Sequence, residues 1–202
     1  LEYENFNAAQ AVVTLRGRNI HPGSAKGRMI NASLLAMQLN EMLPPAERPE
    51  TTEGREGFFH LTEMTGTVEE ARLTYIIRDH NRALFEKKKA TLREAVRRIH
   101  AMYPESCTLD MRDQYYNMCE VIDQRPELIQ WARRAMAEVG VTPIERPIRG
   151  GTDGARLSFM GLPCPNLFAG GMNFHGRYEY LPVPSLRKSM ETIIHLCHII
   201  TK

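Results

Sequence analysis

Apolar and polar positions alternate over residues 11–16, where the β-branched content reads as a strand. A loop rich in glycine and proline follows, 17–27. Over 28–43 the set Ala32, Leu35, Ala36, Leu39, Met42 and Leu43 recurs at helical spacing, and Pro44-Pro45 ends the helix. Residues 46–56 are polar, with Pro49 and Gly54, and read as a surface loop. Residues 58–64 predict a strand, Gly66 a turn, and 68–78 the second arm of a hairpin, since Ala71, Leu73, Tyr75 and Ile77 alternate with polar neighbours. Over 82–102 the positions Phe85, Leu92, Val96, Ile99 and Met102 form one helical stripe. Lys87, Lys88, Lys89, Arg93, Arg97 and Arg98 occupy the other faces and read as a solvated surface. Cys107, Leu109 and Met111 alternate in a fourth strand. The order β-α-β-β-α-β predicts a ferredoxin-like sandwich, one antiparallel sheet covered on one face by two helices.

The rest of the chain has a different rhythm. Leu128, Trp131, Ala132, Ala135, Met136 and Val139 predict an amphipathic helix between Pro126 and Gly140. Residues 141–148 read as extended, 149–154 as a glycine-rich loop, 155–160 as a short helix and 166–169 as a short strand. The last helix starts at Pro184, with Leu186, Met190, Ile193, Cys197 and Ile200 on one stripe. An α-β-α-β-α series implies a parallel sheet covered on both faces. Two short strands do not make such a sheet, so its other strands must lie elsewhere. The opening Leu1-Glu2-Tyr3-Glu4-Asn5-Phe6 reads as the interior of a strand and suggests a fragment.

Composition narrows the class. The 202 residues are 43% hydrophobic and 25% charged, which excludes a collagen-like, disordered or disulfide-scaffold chain. Twenty-six basic against 24 acidic residues leave a net charge of +2, a weak basis for nucleic-acid binding. The basic helix face carries no aromatic ladder. No apolar run approaches the ~18 residues of a membrane span. Cys107, Cys119, Cys164 and Cys197 include no C-x-x-C pair and read as reduced cytosolic thiols.

Four segments could carry chemistry. His21 lies in a glycine-rich loop expected to open a helix, where free N–H groups favour a developing negative charge; a loop histidine without a role is the simpler reading of these residues alone. Arg78, in Tyr75-Ile-Ile-Arg-Asp-His80, suits bidentate grip of a carboxylate, and a surface ion pair is the simpler alternative. Asp153 sits on the tight turn of 149–154 after an extended segment, a common ligand position, with a structural turn equally compatible. His175, among flexible residues of 170–179, could ligate a metal, but one histidine is far short of a site. His195 and His198 are three apart on the last helix and read as surface or interface residues rather than a metal pair.

Taken together, residues 1–9, His21-Pro-Gly-Ser-Ala-Lys-Gly27, Glu53-Gly-Arg-Glu-Gly-Phe-Phe-His-Leu61, Tyr75-Ile-Ile-Arg-Asp79, Gly150-Gly-Thr-Asp-Gly154, Gly161-Leu-Pro-Cys-Pro-Asn166 and Asn173-Phe-His-Gly176 resemble the peptidase T family. These are cytosolic bacterial tripeptide aminopeptidases with two zinc ions, about twice this length. The resemblance implies the C-terminal half of such an enzyme: 1–9 the end of a first catalytic-domain segment, 10–116 a lid or dimerisation-type domain, and 117–202 the C-terminal part of an α/β zinc-peptidase catalytic domain. It implies that His175 ligates one zinc and that His21 reaches the scissile carbonyl oxygen. It matches Arg78 and Arg149 to arginines near the substrate site and Asn117 to an asparagine at the base of the lid; with Asp153, taken from the tight turn of 149–154, these are the candidate substrate-binding residues. The other zinc ligands, the bridging aspartate and the general-base glutamate belong to the N-terminal half of the family, so the chain alone should be inactive. The implied partners are a tripeptide, that missing half and a possible second copy, with neither nucleic acid nor membrane; the implied compartment is the cytoplasm.

Two other readings compete. The chain could be a non-catalytic interaction module whose sheet face, or an edge strand at 11–16, pairs with a twin. It could also belong to a related zinc carboxypeptidase or amidohydrolase. The segments Glu56-Gly-Phe-Phe-His-Leu61 and Tyr75-Ile-Ile-Arg-Asp79 favour the peptidase T family over the latter.

Overall fold

A computed structural model describes residues 1–201. The chain forms two compact units, Phe6–Tyr116 and a second made of Leu1–Asn5 with the residues from Asn117 onward. The first boundary falls after Asn5 rather than after residue 9, because the first strand already begins at Asn7.

The first unit contains β1 (Asn7–Arg16), α1 (Ala32–Glu41), β2 (Phe58–Gly66), β3 (Glu70–Asp79), α2 (Arg82–Met102) and β4 (Cys107–Tyr115). The sheet order is β2-β3-β1-β4, with every pair antiparallel. This is the predicted ferredoxin-like sandwich. Its order places β1 in the interior, paired with β3 and β4, so the expected edge strand at 11–16 is wrong and the edges are β2 and β4. Side chains of period two explain the core: Ala9, Ala11, Val13 and Leu15 of β1 and Leu73, Tyr75 and Ile77 of β3 are buried against Leu35 and Leu39 of α1 and Phe85, Leu92 and Ile99 of α2. Alternate positions such as Gln10, Val12, Thr14 and Arg16 lie on the open face.

Helix α1 starts four residues later than the periodicity suggests. Asn31 caps it, its Oδ1 accepting the N–H groups of Ser33 at 3.0 Å and Leu34 at 3.4 Å. Upstream, Gly17 has no room for a side chain, since a Cβ there would lie 2.1 Å from the Val68 carbonyl oxygen. In α2 the stripe ends before Met102, which is exposed. The basic face is also not uniformly solvated. Lys88 and Lys89 are buried: Lys88 Nζ lies 2.8 Å from Glu47 and 3.1 Å from Asp79, and Lys89 Nζ 2.9 Å from Glu86 and 2.8 Å from Asp113. The long stems cover apolar surface while the ammonium heads find carboxylates, Glu86 from α2 itself and Glu47, Asp79 and Asp113 from outside it.

The second unit is helical: α3 (Cys119–Ile122), α4 (Pro126–Glu138), α5 (Asp153–Phe159) and α6 (Val183–Ile200). Its small core holds Leu1, Met118, Ile122, Ile129, Ala132, Met136 and Ala155. The expected parallel sheet is not formed among the described residues. The segment 1–5 meets its neighbours only as isolated bridges, Glu2 with Asn166 and Asn5 with Ile148. Five residues touching two partners in opposite senses cannot propagate a ladder. The stripe predicted for α6 is likewise not a core: Leu186, Met190, Ile193 and Ile200 are each about half exposed, and Thr192 is the buried side chain. Among the described residues no helix is long and apolar enough to cross a membrane.

Candidate functional site

In the sheet unit, His21 ends the short link after β1 and caps a single 3-10 turn, Pro22–Ser24, rather than a full helix. Its Nδ1 accepts the Gly23 N–H at 3.1 Å. The ring proton is thereby assigned to Nε2, which is left as a donor on an exposed side chain. Arg78 lies on the open face of β3, opposite Ala8 of β1 and Phe58 of β2. Its Nη1 donates to Gln114 Oε1 at 3.1 Å, and the guanidinium lies 5.1 Å from the Tyr115 ring centroid. Burial lowers the Arg78 pKa, an effect that neighbouring Tyr115 opposes. Neither Gln114 nor Tyr115 was expected from sequence, because a cross-strand neighbour depends on register.

The two residues are not brought together along the sheet. Arg78 pairs with Ala8 and the His21 loop leaves β1 at Arg16. Those eight steps of about 3.3 Å span about 26 Å.

In the helical unit, Asn117 is buried. Its Oδ1 accepts the N–H of Asn5 at 3.0 Å and of Cys119 at 3.1 Å, while Asn5 Oδ1 accepts the Met118 N–H at 2.8 Å. Asn5 also pairs with Ile148, next to Arg149. The structure thus gathers Asn117 and Arg149 around Asn5, a residue the sequence did not single out. Arg149 and Asp153 are both exposed. Asp153 occupies the first turn of α5, behind the Thr152 cap whose Oγ1 accepts the Ala155 N–H at 3.2 Å. A carboxylate there also complements the helix dipole. The glycine that follows is required: a Cβ on Gly154 would lie 2.5 Å from the Cys164 carbonyl oxygen.

His175 is exposed at the tip of a loop closed by backbone bonds between Met172 and Tyr180 at 2.9 and 3.2 Å. Its φ is +63°, and that of Asn173 is +56°, both in the left-handed region that disfavours non-glycine residues. Its N–H donates to Glu179 Oε2 at 2.9 Å. Among the described residues no three His, Cys, Asp or Glu side chains form a metal-binding group. An exposed imidazole on a closed loop fits one corner of a metal site whose other donors come from elsewhere. His195 is engaged otherwise, its Nδ1 lying 2.9 Å from Glu138.

Comparison with known proteins agrees with this architecture. Residues 3–106 match the family model described as the peptidase dimerisation domain. Peptidase T of Parabacteroides distasonis is 61% identical over 199 residues, covering 98% of this chain and 49% of that protein. The chain therefore spans about half the length of the curated relatives it matches. Among solved structures, aminopeptidase PepT from Bacillus cereus superposes with a TM-score of 0.84 at 19% identity, covering 100% of this chain and 54% of that one. A dinuclear metal-binding peptidase of the M20 family from Bacillus subtilis superposes with a TM-score of 0.72 at 15% identity, over 97% of this chain and 50% of that one. At such identities the superpositions establish the fold, the mixed α/β architecture of these peptidases. With residues 3–106 matching the dimerisation domain, and the sheet unit lying within nearly the same bounds, the chain belongs to the peptidase family that this domain defines.

Proposed function

We propose that this chain serves a zinc-dependent tripeptide aminopeptidase of the cytoplasm, which releases the N-terminal residue of tripeptides and needs metal ligands and a general base from outside the chain. The observation that carries the reading is the 61% identity to a peptidase T over nearly the whole chain, a span that includes His21, Arg78 and His175. The dinuclear metal-binding M20 neighbour supports a two-metal centre.

In this reading His175 supplies one metal ligand. Divalent metal, when bound, polarises the scissile carbonyl and makes water nucleophilic near neutral pH. The chain's own contribution is substrate handling. His21 donates its Nε2 proton as a hydrogen bond to the carbonyl oxygen as negative charge develops there. The Nδ1 bond from Gly23 holds the tautomer that can do so. Arg78, steadied by Gln114 and Tyr115, grips the C-terminal carboxylate and so favours short peptides. Arg149 and Asp153 line the substrate side, and Asn117 holds that region in place through Asn5. The sheet unit also mediates a homodimer, in keeping with the description of its family.

The test compares the 202-residue chain with a polypeptide extended upstream to the length of its relatives. The extended protein should hydrolyse tripeptides, lose activity to a chelator and regain it with zinc. The short chain should hydrolyse none. Tripeptide hydrolysis by the short chain, or chelator-resistant hydrolysis by the long one, would overturn the reading.

A further inference from the structure

The loop at 172–180 is built more tightly than an exposed loop requires. Met172 and Tyr180 exchange two backbone hydrogen bonds, Asn173 Nδ2 donates to the Tyr178 carbonyl at 3.2 Å, Gly176 N–H to Asn173 O at 2.9 Å, and Glu179 N–H to Gly176 O at 3.1 Å. Within this frame His175 adopts a φ of +63°. Such a conformation is uncommon outside glycine, although histidine tolerates it better than most residues, and surrounding contacts help to hold it. The contact made to the His175 amide itself is the carboxylate of Glu179, at 2.9 Å.

The torsion φ sets where Cβ points relative to the preceding peptide. Relaxation to negative φ would swing the imidazole away from its present direction. An ionised acceptor makes a strong bond to a backbone N–H, here from a side chain four residues along the same closed loop. We infer that Glu179 is a positioning residue for His175: by holding the His175 amide, it keeps the imidazole projected from the loop. The inference rests on the proposed role of His175 as a metal ligand and adds the group that orients it. Outer-sphere groups that orient ligands commonly matter about 10–100-fold for metal affinity. The spacing His175-Gly176-Arg177-Tyr178-Glu179 supports the geometry, since Gly176 lets the chain turn tightly after the histidine: a Cβ there would lie 2.9 Å from the Asn173 carbonyl oxygen.

The experiment uses the upstream-extended protein with zinc, measuring zinc affinity by competition with a chromophoric chelator and exchange of the His175 amide by hydrogen–deuterium exchange. Four proteins are compared: wild type, His175→Ala, Glu179→Ala and Glu179→Gln. Glu179→Ala should weaken one zinc about tenfold or more and speed exchange at the His175 amide, with an unchanged melting temperature. Glu179→Gln keeps an acceptor oxygen and should restore most of both. Wild-type zinc affinity in Glu179→Ala, alongside a loss in His175→Ala, would overturn the positioning role alone. Unchanged affinity in His175→Ala would instead overturn the ligand reading beneath it.

Discussion

The Nδ1 atom of His21 accepts the N–H of Gly23 at 3.1 Å, a bond between residues two apart that leaves the imidazole's other nitrogen as the donor. If that donor meets the scissile carbonyl, His21→Ala should reduce kcat for a tripeptide by about 10²–10³, about 3–4 kcal/mol, with a small change in KM. Gly23→Pro removes the N–H that sets the tautomer and should reduce kcat in the same direction without deleting the histidine. Steady-state kinetics on both variants check this; wild-type kcat in His21→Ala excludes the role.

Arg78 is held on the open sheet face by Gln114 and Tyr115 rather than by a carboxylate in any contact described for it. Arg78→Ala should raise KM for tripeptides about tenfold or more, the worth of a charge-assisted hydrogen bond. The melting temperature should hardly move. An amidated tripeptide, lacking the C-terminal charge, should be processed equally by wild type and variant. Unchanged KM for the free acid rejects the carboxylate grip.

His21 and Arg78 depart from opposite ends of a strand segment about 26 Å long, whereas an extended tripeptide is about 10 Å. If the proposed homodimer forms, it can supply the two residues to one site from different copies. Mixing His21→Ala and Arg78→Ala proteins under exchange conditions, assayed at tripeptide concentrations well below the wild-type KM, should then raise activity to about a quarter of wild type, since half the dimers are mixed and each holds one intact site. No recovery in a mixture shown to exchange subunits places both residues in one copy.

Glu145 receives Arg133 through two hydrogen bonds, at 2.7 and 2.8 Å, and Tyr3 Oη at 2.8 Å. The Arg133 bonds, with help from Tyr3 and against some desolvation, pull its carboxyl down to about 2 from 4.5. A folded-state pKa below the unfolded value means that the stabilisation is present above about 4.5 and lost as pH falls towards 2. Thermal melts should show wild type more stable than Glu145→Gln at pH 6, with the gap closing between pH 4.5 and 2. A constant gap over that range removes Glu145 as the titrating group.

The apolar stripe of α6 is half exposed, whereas the core strands β1 and β3 are backed by two helices. Local opening is cheapest where few apolar contacts oppose it. Hydrogen exchange on the 202-residue chain should therefore show weaker protection in α6 than in β1 and β3, and upstream extension should raise protection in α6. Equal protection in the short chain contradicts this.

The β-α-β-β-α-β order was legible in the sequence because its signals are local: period-two runs for Leu73, Tyr75 and Ile77, helical spacing for Phe85, Leu92 and Ile99. His21, Arg78 and His175 stand out in the sequence as candidates, for which the proposed function assigns roles that the experiments above test. Long-range pairing decided the rest. Lys88 and Lys89 looked solvated until carboxylates from other elements were placed over them. Residues 11–16 looked like an edge until β4 closed on their free side. The α6 stripe has the period of a buried face, yet periodicity states only that a helix has an apolar side, not that a partner covers it. Asn5, Gln114 and Glu179 carry no motif; their meaning is a position relative to Asn117, Arg78 and His175, and only the folded backbone creates that position.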